Sequence, residues 1–240
     1  MADPAFHRYA GAGRAVDQGY FDEGLRQFML RIYNYMGAGL VVTGLVAFFA
    51  ASSPALMQTL FATPLKWVVM LAPLAFIMVL SFGINRLSFG TAQILFWVYC
   101  GVMGLSLSTI FLVFTGASIA LTFFVTAATF LAMSLYGYTT KTDLSRMGSF
   151  LIMGLIGIII ASLVNIFMAS SALQFAISVI GVLIFTGLTA YDTQRLKEVY
   201  AENMDHETMG KTALMGALTL YLDFVNLFMF LLHFLGQRND

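Results

Sequence analysis

The sequence predicts an all-α polytopic membrane protein, a bundle of seven transmembrane helices with the last helix at its centre. Hydrophobic residues make up 60% of the 240 residues and charged residues only 10%, whereas a soluble globular domain has about 25% charged residues. Apolar runs of about 20 residues recur along the chain, and a helix of that length crosses a hydrocarbon core about 30 Å thick. The last run carries a carboxylate, which a helix facing lipid would not tolerate.

Charged and turn-forming residues divide the chain into seven predicted spans. They cover residues 33–53, 66–84, 91–113, 117–138, 148–169, 172–193 and 214–235. Residues 1–32 are mixed in charge and rich in Gly and Ala, a composition that cannot bury a core. We therefore divide the chain into a cytoplasmic N-terminal tail, residues 1–32, and a seven-helix transmembrane domain, residues 33–240.

The distribution of Lys and Arg predicts the topology, because basic loops are retained on the cytoplasmic side of a membrane. If the N-terminus is inside, ten of the 12 basic residues are cytoplasmic, namely Arg8, Arg14, Arg26, Arg31, Arg86, Lys141, Arg146, Arg195, Lys197 and Lys211. Lys66 and Arg238 are then the two outside. An odd number of spans places the C-terminus outside.

Two acidic residues lie within apolar spans, Asp192 in the sixth and Asp223 in the seventh. Insertion of Asp at a helix centre costs about 2.5 to 3.5 kcal/mol, so an ionisable residue there indicates a functional site. If the sixth helix runs to about Tyr200 and the seventh begins near Met215, each Asp lies about 12 Å from the end of the hairpin. We therefore expect the two carboxyl groups at one depth.

Each Asp lies on a polar stripe of its own helix at 100° per residue. The stripe of the last helix contains Gly216, Thr219, Asp223, Asn226 and His233, and that of the sixth contains Ser178, Gly181, Thr189, Asp192 and Arg195. Such a stripe faces the bundle interior or a water-filled cavity, because lipid cannot satisfy polar groups. Thr189, Thr219 and Asn226 are therefore expected to support the acidic pair.

The expected adjacency of Asp192 and Asp223 would determine how the pair binds protons and cations. At about 4 Å they repel by about 4 kcal/mol at an effective dielectric constant of about 20. We expect Asp192 and Asp223 to share one proton at neutral pH, and so to sense pH. When both are ionised they form an oxygen site for a hard cation, but calcium takes about six to eight oxygens. Calcium binding is therefore expected to be weak and transient, as a conduction path requires.

Structural roles remain open for these residues. Asp192 could mark the cytoplasmic end of its helix and pair with Arg195 or Lys197. Asp223 could form a buried hydrogen bond to a Ser, Thr or Asn of another helix. Arg86, at the inner end of the second span, is the nearest cation for a gating latch, although arginines at such positions commonly snorkel and set topology.

Small residues at helical spacing predict close helix contacts. Ala128 and Ala132 form one such pair and Gly154 and Gly157 another, and interfaces within membranes favour small side chains. The only cysteine, Cys100, lies inside the third span, so an intrachain disulfide is impossible.

Three sequence segments lie at the ends of the expected spans: LYGYTTKTDLS at 135–145, GLTAYDTQRLKEVY at 187–200 and LYLDFVNLFMFLLHFLG at 220–236. With them, the chain from about residue 25 to its end resembles the transmembrane Bax inhibitor motif family. The resemblance implies a seven-helix protein in which a di-aspartyl pair on the last two helices senses pH and governs a calcium leak. The matching positions are Asp192 and Asp223, and Arg86 matches a latching arginine of the second helix.

The leading hypothesis is a pH-sensitive calcium-permeable leak channel in a bacterial inner membrane, with calcium as the permeant ion and no cofactor. The alternative is a non-conducting regulator of cell death or stress that binds a membrane protease or another membrane protein. A proton-coupled transporter is a third interpretation. The lipid bilayer is the expected surrounding, and no nucleic-acid partner is expected.

An enzyme is not expected. The sequence contains neither a Gly-x-Ser-x-Gly nor an HExxH motif, and His7, His206 and His233 lack a neighbouring metal ligand at helical spacing. The last span has no lysine for a retinal Schiff base. A cytoplasmic N-terminus is opposite to that of G-protein-coupled receptors.

Overall fold

The protein is built from α-helices, as seen in a computed structural model. The structure describes residues 4–201 and 204–239, and the side chains from residue 23 onward. The helices in this part of the chain are α1 Pro4–Ala51, α2 Pro54–Phe61, α3 Leu65–Gly83, α4 Phe89–Leu107, α5 Ile110–Val113, α6 Gly116–Thr139, α7 Ser145–Met168, α8 Ser171–Val199 and α9 His206–Leu235.

Within the described residues, seven segments are long and apolar enough to cross a membrane, which confirms the predicted fold class. They are Glu23–Ala51, Leu65–Gly83, Phe89–Val113, Gly116–Thr139, Ser145–Met168, Ser171–Val199 and His206–Leu235. The third segment is not one continuous helix, because a turn at residues 108–109 separates α4 from α5. The other large differences from the predicted spans lie at the start of the first, the end of the sixth and the start of the last.

The first helix enters the bundle core before residue 33. Leu25, Phe28, Met29 and Ile32 are all buried in the main hydrophobic core. The ring of Phe28 lies 5.5 Å from the ring of Tyr200, which follows α8. Packing therefore begins inside the segment expected to form the tail, while the side chains of residues 1–22 lie outside the described part.

Helix α9 occupies the centre of the bundle, as predicted. It packs against α1, α4, α6 and α8. In its most apolar stretch 56% of residues are buried, the largest share among the seven spans. Leu214, Leu220, Leu227 and Leu232 are among its fully buried side chains. A polar group on this helix is thus shielded from lipid on most sides.

The start of α9 differs from the expectation. The helix begins at His206 rather than near Met215, so Asp223 lies 17 residues, about 26 Å, from its start and not about 12 Å. Its first turns are polar, and Lys211 pairs with Glu207 at 2.8 Å. Gly210 is nevertheless buried, where an added Cβ would lie 3.0 Å from the Phe89 ring. Tertiary packing therefore extends the helix beyond its apolar run.

The C-terminal segment closes the opposite end of α9. The N–H of Thr115 donates to the carbonyl of Gln237 at 2.9 Å, and the N–H of Asn239 donates to the carbonyl of Val113 at 2.9 Å. The N–H of Gln237 donates to the hydroxyl of Ser118 at 2.9 Å. These bonds fix the end of α9 to the connection between α5 and α6.

Candidate functional site

The structure brings Asp192 of α8 and Asp223 of α9 together. Their carboxyl groups lie close enough to interact directly. Asp223 is only 4% exposed, whereas Asp192 is half-buried. The two helices are antiparallel neighbours, and their long contact gives both carboxyl groups the same depth, although the expected start of the last helix was wrong.

Two glycines hold α8 and α9 close on either side of the acidic pair. A Cβ added to Gly181 of α8 would lie 2.6 Å from the ring of Phe230 on α9. A Cβ added to Gly216 of α9 would lie 2.8 Å from Cδ2 of Leu196 on α8. Small residues allow such close contact between helices in membranes. The separation of the helices at the acids is thus set by packing above and below them.

One oxygen of the pair has no ordinary hydrogen-bond partner. Asp223 Oδ2 is buried, and among the described residues no side-chain or main-chain donor bonds to it. A buried polar atom without a partner is costly, and more so when it carries charge. A protonated carboxyl group is a donor, so one proton held between Asp192 and Asp223 would satisfy this contact.

The pair lies on the floor of a cavity of about 650 Å³ between α3 and α7. Helices α8 and α9 form the floor, and α3, α4 and α7 form the walls. The wall residues are Pro73, Leu74, Ile77, Met103, Ile152, Leu155, Ile158, Ile159, Ser162, Leu163 and Ile166. The acidic pair therefore faces a chamber whose walls are almost entirely apolar.

Thr219 and Asn226, but not Thr189, line this cavity beside the acids. The hydroxyl of Thr219 donates to the carbonyl of Met215 at 3.1 Å, and the side-chain NH₂ of Asn226 donates to the carbonyl of Leu222 at 2.8 Å. Their oxygens remain available as acceptors on the cavity floor. Thr189 is fully buried and donates to its own helix instead.

The structure does not support the two structural alternatives for the acids. Lys197 donates to the carbonyl of Tyr138 at 2.9 Å and lies over its ring, away from Asp192. Arg195 lines the cavity and acts electrostatically on Asp192, without forming an ion pair in the described part of the chain. Asp223 Oδ2 has no hydrogen bond from a Ser, Thr or Asn among these residues.

Arg86 is exposed in the turn between α3 and α4. It does not line the cavity that holds the acidic pair. Among the described residues that line the cavity, the cation is Arg195, three residues after Asp192, which the sequence pattern placed on the same stripe. The latch role of Arg86 therefore stays a prediction.

A second buried polar cluster was not predicted. The hydroxyl of Thr43 donates to the carbonyl of Cys100 at 2.9 Å. The hydroxyl of Tyr221 lies 2.6 Å from that of Thr43, and it must be the donor because the Thr43 hydrogen is already used. The ring of Tyr99 packs edge-on against Tyr221 at 5.5 Å. The cluster joins α1, α4 and α9, and Tyr221 precedes Asp223 by two residues. In the sequence, this cluster is indicated only by Tyr221, the tyrosine of the YLDF segment at 221–224.

Comparison with known proteins decides the family. A family model described as "Inhibitor of apoptosis-promoting Bax1" matches residues 25–240. The chain belongs to the Bax inhibitor family. It is thus an integral membrane protein of this family, in agreement with the resemblance and with the seven spans.

Relatives in this family match nearly the whole chain. Protein RP147 of Rickettsia prowazekii is 51% identical over 220 residues, which cover 92% of this chain and 93% of the relative. Inner membrane protein YbhL of Escherichia coli is 50% identical over 218 residues, which cover 90% of this chain and 93% of YbhL. A protein of Caulobacter vibrioides is 49% identical over 229 residues, which cover 91% of this chain and 92% of that protein.

Proposed function

We propose that this Bax inhibitor family member is a pH-sensitive calcium-permeable leak channel in which Asp192 and Asp223 are both the proton sensor and the ion site. The adjacency of the two carboxyl groups on the cavity floor carries the proposal. A carboxyl pair inside a membrane is expensive to insert and is usually functional. Its charge depends on how many protons it holds, so it couples pH to cation binding.

Oxygen ligands on the cavity floor suit a hard cation. Four residues with side-chain oxygens line the cavity, namely Asp192, Thr219, Asp223 and Asn226, and calcium binds oxygen ligands. Among the described residues no group of three or more His, Cys, Asp and Glu could hold a metal ion. Water would have to complete the coordination, so binding is weak enough for release.

We also propose that the protein lies in a bacterial inner membrane with its N-terminus in the cytoplasm. The relative from Escherichia coli is named an inner membrane protein. Ten of the 12 basic residues fall on one side of the seven spans, which is the cytoplasmic side by the positive-inside rule. Arg195 then lies near the cytoplasmic end of α8.

The test is calcium flux into dye-loaded proteoliposomes between about pH 5.5 and 8.5. We expect the wild type to conduct with a pH dependence that Asp192→Asn and Asp223→Asn abolish. Asp143→Asn is the matched control, because Asp143 is an exposed loop residue that accepts a hydrogen bond from the N–H of Ser145. A wild type that carries no calcium at any pH would refute the channel and favour the non-conducting regulator, whose protein partner would then be sought.

A further inference from the structure

The cavity above the acidic pair is larger than a metal ion needs. Its volume of about 650 Å³ falls in the range of about 300 to 1,000 Å³ that is typical of sites for small organic molecules. Side chains of α3 and α7 supply hydrocarbon walls, and Ser162 is the one polar residue among them. Such walls do not solvate a hydrated ion, but they match the apolar body of an organic ligand.

The polar groups of the cavity converge at one place. Asp223 Oδ2 is buried and no donor in the described part of the chain bonds to it, and the Asp192 carboxyl group lies beside Asp223. An ammonium group has three N–H donors and a positive charge, so it complements this oxygen. The neighbouring oxygens of Thr219 and Asn226 lie on the same face of α9 and accept further N–H bonds.

The cavity is accessible from the lipid side. Leu74 of α3 is 58% exposed, and Ile159 and Leu163 of α7 are 52% and 56% exposed, although all three also line the cavity. The gap between α3 and α7 therefore opens toward the region that the hydrocarbon core would occupy. A molecule that partitions into the bilayer could enter without crossing the polar ends of the bundle.

We propose that this cavity binds a small amphiphilic amine, with its apolar body between α3 and α7 and its ammonium group on Asp223. The binding site uses the carboxyl pair of the proposed channel but does not depend on ion conduction. Arg195 lies on α8, about one turn after Asp192, whereas Asp223 lies on α9. The ammonium group therefore binds on the side of the pair away from the guanidinium.

The probe is 1-aminoadamantane, with 1-adamantanol as a neutral molecule of nearly the same shape. Equilibrium dialysis of each radiolabelled compound against protein in lipid nanodiscs, in calcium-free buffer with empty nanodiscs as background, gives its affinity. We expect the wild type to bind the amine at least about tenfold more tightly than the alcohol, since hydrogen bonds to charged groups are the stronger ones. We expect Asp143→Asn to keep this preference and Asp223→Asn to lose it.

A second variant tests the location of the apolar body. Ser162→Phe fills the cavity from α7 without altering the acids, so it should weaken binding of both compounds to the same degree. Equal affinity of the wild type for amine and alcohol, or an amine preference that survives Asp223→Asn, would overturn the proposal. Because calcium is absent from the assay, amine binding by a protein that conducts no calcium would refute the channel alone.

Discussion

Ser106 on α4 donates its hydroxyl hydrogen to the main-chain carbonyl of Val69 on α3. Pro73 lies four residues after Val69 within α3 and has no N–H, so the helix cannot satisfy this carbonyl itself. Lipid offers no donor either. The bond from Ser106 therefore makes a proline tolerable in a membrane span, and it joins two helices that form walls of the cavity.

Replacement of this serine should destabilise the protein in a way that depends on the proline. We expect Ser106→Ala to lower the free energy of unfolding by about 1 to 3 kcal/mol, because a buried carbonyl loses its donor. In a Pro73→Ala background the new alanine supplies a main-chain N–H to the carbonyl of Val69, so the same substitution should cost much less. Thermal unfolding of the wild type, the two single variants and the double variant gives the coupling free energy between Ser106 and Pro73. Equal losses of stability in both backgrounds would refute the role of Ser106.

Two glycines of the bundle should respond in opposite ways to alanine. A Cβ at Gly137 of α6 would collide with the main chain of Ala190 on α8, whereas a Cβ at Gly157 of α7 meets nothing within 4 Å. Overpacking costs about 1 to 3 kcal/mol, so Gly137→Ala should lower the unfolding temperature. Gly157→Ala should leave it unchanged or raise it, because alanine is the better helix former. A similar loss in both variants would contradict this difference.

The tyrosine pair formed by α4 and α9 gives a second matched comparison. Tyr221→Phe removes a hydroxyl that is hydrogen-bonded to Thr43, and should cost about 1 kcal/mol of stability. Tyr99→Phe removes a buried hydroxyl that has no partner in the described residues, and should be neutral or stabilising. Chemical unfolding in a mild detergent measures the stability change of each variant. A larger loss for Tyr99→Phe than for Tyr221→Phe would contradict this assignment of the two hydroxyl groups.

The start of α9 should lose stability in acid. The Asp205 side chain accepts a hydrogen bond from the N–H of Thr208 at 3.0 Å, and its hydrogen bonds with Thr208 lower the pKa of Asp205. A lowered pKa means that the carboxylate stabilises the folded state at neutral pH and that this contribution disappears as pH falls through the lowered value. We expect Asp205→Ala to reduce the unfolding temperature at neutral pH but not in acid.

Asp205→Asn is the control for this effect. Asparagine also caps a helix but carries no charge, so its contribution should not change with pH. Thermal unfolding of the wild type, Asp205→Ala and Asp205→Asn across the acid range separates capping from charge. A pH dependence in Asp205→Asn equal to that of the wild type would assign the effect to another group.

The seven spans could be predicted because the apolar runs are long and the charges lie between them. The start of α9 could not be predicted, because residues 206–213 contain Glu207 and Lys211 and their composition is typical of a loop. Gly210 in this segment is buried against Phe89 of α4, which is distant in sequence. Helix ends of this kind follow from tertiary packing and not from local hydropathy.

The acidic pair was also predictable, because two carboxylates in apolar spans must find a polar environment. A water-filled cavity was one of the two expected surroundings of the polar stripes. Its size and its apolar walls were not predicted, because they depend on the space between α3 and α7, which no residue pattern specifies. Close helix contacts were predicted only in part. Of the expected Gly154 and Gly157, a Cβ at Gly154 would lie 2.7 Å from Ile184, whereas Gly157 faces open space.

The most direct test of a shared proton on Asp192 and Asp223 is infrared difference spectroscopy of the protein in lipid at neutral pH. We expect the wild type and Asp143→Asn to show the carbonyl band of a protonated, buried carboxyl group. Asp223→Asn should lack this band, because the proton is bound by the two carboxyl groups jointly. A wild type without the band, or a band that persists unchanged in Asp223→Asn, would contradict the shared proton and with it the sensor.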